Sequence, residues 1–369
     1  MEVSSMAIIK HLYPGGNTCY GFYSLYDYIL PSSGSHKYIL KGGPGVGKSM
    51  FMKKLGKDLS EKGWDIEYHW CSSDNNSLDG IVIGKKQICF LDGTAPHVVD
   101  PRFPGAVDEI INLGQFWDRD KIKAHRENII KLSQDISRCF ERAYKRLKEI
   151  KTAFEEWKSY YEENTDSQAV NRNILALTED FLKDAPSSAK ETRHLFAGAI
   201  TPGGLVSRVE SIINKDYGIF AVKGSPGTGC QRLFGYCMEL IEVRGLYAEV
   251  YHNPFDPEET DIIVLPESQV ALMDISATVI NYVDKLGSIK YKRLLDLEQF
   301  VDKSAIGTYA KLIFSAQTRF DEGINDAVSF LQTAKKHHDE LEAYYINAMD
   351  FESIENLRQA MLEQVLNEL

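Results

Sequence analysis

The sequence predicts an α/β protein made of two tandem repeats, each a parallel sheet flanked by helices and followed by a long antiparallel helical arm. Three observations predict it. An apolar strand, a glycine-rich turn and a helix follow one another over residues 37–59, and the same pattern returns 182 residues later, where Gly224 matches Gly42. Each copy then becomes helical with a heptad spacing of apolar residues. The predicted domains are residues 1–188 with an arm at 118–183, and residues 189–369 with an arm at 302–367.

The composition limits the classes of function. The chain has 369 residues, 43% hydrophobic and 26% charged, enough for two compact cores. Its net charge of -11 argues against a protein that binds nucleic acid by neutralising phosphates over a broad surface. Six cysteines contain no C-x-x-C pair, and no apolar run has the length of a membrane span. We therefore expect a cytoplasmic protein with reduced thiols.

The glycine-rich turn has the spacing G-x-x-x-x-G-K-S, and it lies between a short apolar strand and a helix. Glycines allow successive backbone N–H groups to face one anion, and the helix N-terminus adds partial positive charge. Lys48 is predicted to reach the β- and γ-phosphates of a nucleotide, and the Ser49 hydroxyl is predicted to bind Mg²⁺. The predicted nucleotide-binding residues are Gly42, Gly43, Pro44, Gly45, Val46, Gly47, Lys48, Ser49 and Met50.

These residues resemble the P-loop NTPase superfamily. The two tandem loops, the His-Leu-Tyr-Pro-Gly opening at 11–15 and the Asp-Gly-Thr-Ala-Pro-His stretch at 92–97 also resemble an uncharacterised family of bacterial ATP-binding proteins with two P-loop repeats. The resemblance covers the whole chain and implies binding of ATP with Mg²⁺, but no known substrate.

The second copy of the loop lacks the lysine and the serine that follow the last glycine of the first loop. It keeps its glycines, but Cys230 and Gln231 stand in place of Lys48 and Ser49. This removes the ammonium group and the Mg²⁺-binding hydroxyl, so we expect one ATP site per chain.

The helical arms follow each repeat. Apolar residues from Ile136 to Tyr161 form a heptad seam, and a weaker seam runs from Phe320 to Tyr345, which predicts that each long helix packs against a partner helix. A short strand is also predicted near the start of each repeat, at Ile8–Tyr13 and Arg193–Phe196. Each of these strands could complete the sheet of the preceding repeat, and this alternative stays open. The basic stretch at 138–151 also has two interpretations: a solvated helix face, or a docking surface for an acidic protein or RNA.

The predicted catalytic residues are Lys48, Asp92, His97 and Asp100. Asp92 ends an apolar strand about fifty residues after the loop, where its carboxylate would hold Mg²⁺ together with Ser49. Gly93 follows it, so the glutamate that polarises water in many ATPases is absent there. Candidates for that role are His97, Asp100, and Asp74 or Asp79.

The expected activity is Mg²⁺-dependent ATP hydrolysis at the first repeat, coupled to movement of the repeats or of their arms. Two alternatives remain: a phosphotransferase in which the arm is a lid over a small acceptor, and an ATP-sensing interaction protein with little turnover. The sequence does not encode the acceptor, the partner or the oligomeric state.

Overall fold

The chain folds into two compact units, and each unit takes segments from both halves of the sequence. The computed structural model describes residues 7–30, 34–94, 98–287 and 289–369. The first unit comprises Met1–Gly15, Ser24–Arg142 and Ser329–Leu369, and the second comprises Gly16–Tyr23 and Ala143–Val328. The units therefore differ from the continuous domains 1–188 and 189–369 that the repeat boundaries predict.

The sheet of the first unit has six strands in the order β1-β5-β6-β7-β4-β8, and only β6 runs antiparallel to its neighbours. The strands of this half of the chain are β1 (Ile9–Leu12), β2 (Gly15–Thr18), β3 (Gly21–Ser24), β4 (His36–Lys41), β5 (Ile66–Trp70), β6 (Leu78–Ile83), β7 (Ile88–Asp92) and β8 (Asp108–Asn112). Strands β2 and β3 form a separate hairpin.

The sheet of the second unit repeats this arrangement, in the order β16-β12-β15-β14-β13-β9, with β14 antiparallel. The strands are β9 (Arg193–Leu195), β10 (Gly198–Thr201), β11 (Gly204–Ser207), β12 (Gly218–Lys223), β13 (Glu249–His252), β14 (Thr260–Leu265), β15 (Val270–Asp274) and β16 (Tyr291–Asp296). Two mostly parallel sheets of identical topology confirm the predicted mixed α/β class with two repeats.

The first strand of each repeat, β1 or β9, joins the sheet of its own repeat. Ile9 lies opposite Ile66 in a parallel pairing of β1 with β5, and His194 lies opposite Val250 where β9 pairs with β13. The alternative that these strands complete the preceding repeat's sheet is therefore wrong. Each strand finds its hydrogen-bond partners locally, so no exchange of strands is needed.

Helices flank both sheets, and two of them are very long. The helices are α1 (Lys48–Glu61), α2 (Arg119–Ala124), α3 (Arg126–Glu163), α4 (Ser167–Leu182), α5 (Val209–Ile212), α6 (Cys230–Val243), α7 (Val283–Leu286), α8 (Lys303–Ile346) and α9 (Phe351–Glu368). Within the second unit, α3 packs on α8: the rings of Phe154 and Phe320 are 5.4 Å apart, and a Cβ added at Gly323 would collide with Ile150. The seam residues thus meet a partner helix, as the heptad spacing predicts.

The short helix at the end of each arm completes a core that belongs to the other repeat. In the first unit, Ile354, Met361 and Val365 of α9 are buried in the same core as Phe51 and Leu55 of α1. In the second unit, α4 contributes Val170, Ile174 and Leu177 to the core that contains α6. Burying each such side chain stabilises the fold by about 1.5–3 kcal/mol. The exchanged helices are therefore integral parts of the two cores.

Two further predictions concern thiols and membranes. All six cysteines are free thiols in the structure. Among the described residues, no helix is both long and apolar enough to cross a membrane.

Candidate functional site

The first loop (residues 42–49) connects the end of β4 to the start of α1. Gly42, Gly45 and Gly47 have φ values of 148°, 70° and 94°, which residues with a Cβ rarely adopt. Gly47 is the N-cap of α1, which begins at Lys48. The chain therefore turns sharply into a 14-residue helix, whose free N–H groups and dipole attract an anion.

Lys48 is buried, with 8% of its surface exposed, and its ammonium lies across the loop. Its Nζ donates to the carbonyl oxygens of Gly42, at 2.9 Å, and Gly43, at 2.8 Å. The same Nζ is 3.5 Å from Oδ2 of Asp92. The loop thus holds a positive charge in place beside a carboxylate.

Asp92 reaches this position because β7 is the parallel neighbour of β4. Leu40 lies opposite Asp92 in the pairing, so the carboxyl ends of the two strands meet at one edge of the sheet. Its Oδ1 accepts hydrogen bonds from the backbone N–H of Thr94, at 2.9 Å, and from the Thr94 hydroxyl. These bonds leave Oδ2 directed towards Lys48.

The Ser49 hydroxyl faces the beginning of β6. Its Oγ accepts a hydrogen bond from the backbone N–H of Leu78 at 3.0 Å. Because β6 is antiparallel to β7, its first residues lie at the edge where β7 ends. The structure therefore brings Lys48, Ser49 and Asp92 to the same edge of the sheet. Met50, in the first turn of α1, is 55% exposed.

Asp79 is a buried acid in this region. Its pKa is raised to about 7, chiefly by burial and also by the nearby charge of Asp92, while hydrogen bonds from Tyr26 and Cys71 act in the opposite direction. Asp261 occupies the same position in the second unit, and burial likewise raises its pKa to about 7. The perturbation is thus a property of this position in both repeats, including the one that has lost the lysine, and it does not by itself identify a catalytic base.

The other predicted acid–base residues lie elsewhere or cannot be placed. The Asp100 side chain is 75% exposed and forms an ion pair with Lys41 at 3.0 Å. Asp74 accepts hydrogen bonds from Asn76 and Ser77 and so stabilises the turn before β6. His97 lies outside the described residues.

The sequence did not indicate that a distant segment contacts the first loop. We call this segment, residues 342–351 at the junction of α8 and α9, the elbow. A Cβ at Gly45 would lie 2.8 Å from the carbonyl oxygen of Glu342. A Cβ at Gly43 would lie 2.8 Å from the Tyr345 ring, and one at Gly47 would be 3.4 Å from the Phe351 ring. The only sequence signal was the repeat itself, because it places corresponding arm residues at corresponding sites.

The second loop (residues 224–231) keeps the backbone shape without the charge. Gly227 and Gly229 have φ values of 92° and 119°, but Cys230 replaces the lysine. The Gln231 amide exchanges two hydrogen bonds with the backbone of Thr260, which corresponds to Leu78 in the first unit.

The second loop has an acidic side chain against its backbone, and a helix packs on it. The Glu298 carboxylate accepts hydrogen bonds from the backbone N–H and the hydroxyl of Ser225, at 2.6 and 2.7 Å. A Cβ at Gly227 would collide with the carbonyl oxygen of Lys158, so packing requires glycine there in addition to the positive φ. A cavity of about 200 Å³ remains beside this loop. An acid at the loop and the missing lysine make it a poor triphosphate site.

Comparisons with known proteins do not add to this description. No protein-family model matches the chain, no curated protein matches it, and no solved structure matches it. The functional argument therefore depends on the geometry of the site.

Proposed function

We propose that the first unit binds Mg-ATP at the first loop and hydrolyses it. One observation carries the proposal: the Lys48 ammonium lies within 2.9 Å of two loop carbonyl oxygens and 3.5 Å from Asp92, at the N-terminus of α1. A charge-bearing loop of this shape, followed by a helix, is suited to a polyphosphate.

The residues divide the binding between them. The N–H groups of the first loop and the helix dipole would bind phosphate oxygens, and Lys48 would neutralise the terminal phosphates. The Ser49 hydroxyl and the Asp92 carboxylate are hard oxygen donors of the type that Mg²⁺ prefers, so the residues present fit this ion. Bound Mg²⁺ would neutralise charge on the phosphates. ATP is proposed as the nucleotide because no guanine-recognition motif accompanies the loop, and GTP serves as the competitor in the test.

The position of the elbow against the first loop suggests that nucleotide binding is coupled to the helical arm. Glu342, Tyr345 and Phe351 contact the first loop, so phosphates bound there would lie close to the end of α8. We propose that ATP binding and hydrolysis change the position of this arm. A second candidate is an ATP sensor with little turnover. Gly93, in place of a glutamate after Asp92, favours that alternative.

The test compares Lys48→Ala with Cys230→Ala, the same substitution at the equivalent position of the second loop. Calorimetric titration with Mg-ATP should give one site per chain for the wild type and for Cys230→Ala. Lys48→Ala should bind at least tenfold more weakly, since it removes a charge-assisted contact worth about 1.5–3 kcal/mol.

A folding control accompanies this test, and two outcomes would rule out the proposed site. Circular dichroism should show that both variants keep the wild-type helix content. Unchanged ATP affinity in folded Lys48→Ala, or two comparable sites per chain, would rule out the proposed site. Phosphate release without an added acceptor distinguishes hydrolysis from sensing, and a GTP titration measures the base preference.

A further inference from the structure

In each unit one face of a long helix lies near a glycine-rich loop, and the side chains on that face differ between the two units. In the second unit, the cavity beside the second loop is lined on this side by Phe154, Lys158 and Glu162 of α3. The arms are related by 184 residues, as Ile136 and Phe320 at the start of the two seams show. The equivalent residues on α8 in the first unit are therefore His338, Glu342 and Ile346.

The contacts in each unit support this correspondence. A Cβ on Gly45 would lie 2.8 Å from the Glu342 carbonyl oxygen and 3.1 Å from Cγ1 of Ile346. A Cβ on Gly227 would meet Lys158 in the same way. The same turn of helix therefore rests on the loop in both units, so Glu342 belongs to the turn that contacts the first loop.

In the second unit, the equivalent side chains are engaged in packing and pairing. The Phe154 ring contacts the rings of Phe255 and Phe320, at 5.7 and 5.4 Å. Nζ of Lys158 is 3.0 Å from the carboxylate of Glu259. These contacts hold the arm on the second loop, and neither position carries a free carboxylate or imidazole there.

In the first unit, the same positions carry an acid and an imidazole. Nδ1 of His338 is buried and makes no hydrogen bond to any described residue, and it lies 3.8 Å from Oε1 of Glu342. A buried ring nitrogen without a partner is unfavourable unless water or a ligand supplies one. This pair therefore has an unused hydrogen-bonding position on the part of α8 whose backbone contacts the first loop.

The charge of Lys335, two turns earlier on α8, is directed at acids other than Glu342. Lys335 pairs with Asp339 and lies 3.4 Å from Asp74, so its single charge is shared between those two acids. Within the described part of the chain, Glu342 forms no ion pair with a lysine or arginine. Donor atoms of His338, Asp339 and Glu342 lie within 4.8 Å of one another, but the Lys335 contact to Asp339 argues against a metal ion there.

We propose that Glu342 is the general base for ATP hydrolysis at the first loop, and that His338 is a positioning residue for its carboxylate. This inference rests on the proposed ATP site and supplies the base that is missing after Asp92. Glu342 takes a proton from water while the water oxygen forms a bond to the γ-phosphorus. The bond from that phosphorus to the β,γ-bridging oxygen breaks, and ADP leaves with the electron pair. Glu342 then releases the proton to solvent.

The experiment uses paired variants of the same helix in the full-length chain. Glu342→Gln is compared with Glu340→Gln, which changes an acid that is 52% exposed. His338→Asn is compared with His337→Asn. Glu342→Gln should lower kcat by about 100-fold or more while the Kd for Mg-ATP changes less than threefold, since a general base acts in the chemical step. His338→Asn should lower kcat by a smaller factor, and both control variants should stay within twofold of wild type.

The outcomes separate this inference from the proposed function. Wild-type turnover in Glu342→Gln would overturn the assignment, and so would a parallel loss of binding and turnover, which indicates a packing role. If the wild type binds Mg-ATP with Lys48 dependence but releases no phosphate, the base is refuted and the ATP site stands. If the wild type does not bind Mg-ATP, both proposals fail.

Discussion

Replacing Gly227 with alanine tests whether the glycine of the second loop is kept for packing. Its φ of 92° is in the left-handed region, which costs a residue with a Cβ about 1–2 kcal/mol. The new Cβ would also collide with the Lys158 carbonyl oxygen and lie 3.0 Å from the Glu162 backbone nitrogen. Overpacking of this kind costs about 1–3 kcal/mol. We therefore expect the free energy of unfolding to fall by about 2–5 kcal/mol.

Two other glycines of the second unit separate these contributions. Gly204 has a φ of 95° with nothing within 4 Å of an added Cβ, so Gly204→Ala should cost only the backbone strain of about 1–2 kcal/mol. Gly235 is in the exposed part of α6, and Gly235→Ala should stabilise by about 1 kcal/mol. Urea unfolding followed by circular dichroism measures all three variants. If Gly227→Ala costs no more than Gly204→Ala, the packing argument is refuted.

Two predictions concern the acids at the edge of the first sheet. Asp92→Asn should reduce phosphate release more than ATP affinity, because an amide still accepts hydrogen bonds but places no charge beside Mg²⁺; equal losses would contradict this role. Burial raises the pKa of Asp79 to about 7, so the folded protein keeps a proton that the unfolded chain releases near pH 4. The free energy of unfolding should therefore fall as pH rises from about 4 to 7, and Asp79→Asn should lose that part of the fall. Unfolding titrations at pH 5 and pH 8 measure the difference, and identical slopes for wild type and variant would exclude the shift.

The parts of the site that the sequence predicted are those built by neighbouring residues. The glycine spacing determines the turn before Lys48, and a strand that ends at Asp92 needs only parallel pairing with β4 to bring the carboxylate to the loop. Both depend on local order along the chain and on the repetition of that order.

The parts that the sequence could not predict depend on which sheet each amphipathic helix packs against. The apolar spacing of α9 shows which face is buried, but its pattern does not identify the sheet that the face covers. Ile354 and Met361 therefore gave no sign that they pack with α1, some 300 residues earlier. The contact of Glu342 with the first loop follows from that choice, so it was missed as well. The side-chain burial that shifts the Asp79 pKa likewise appears only once β6 is covered on both sides.

The exchange of short helices has a consequence for synthesis. Residues 351–368, which supply Ile354, Met361 and Val365 to the first core, emerge from the ribosome about 300 residues after the first loop. At about 5–20 residues per second, the first glycine-rich loop waits many seconds for the helix that covers its sheet. The second core has all its segments once residue 328 has emerged, so it can form first. The unit that contains Lys48 is thus the later one to mature, and a nascent chain would carry a finished second loop before it carried a finished first loop.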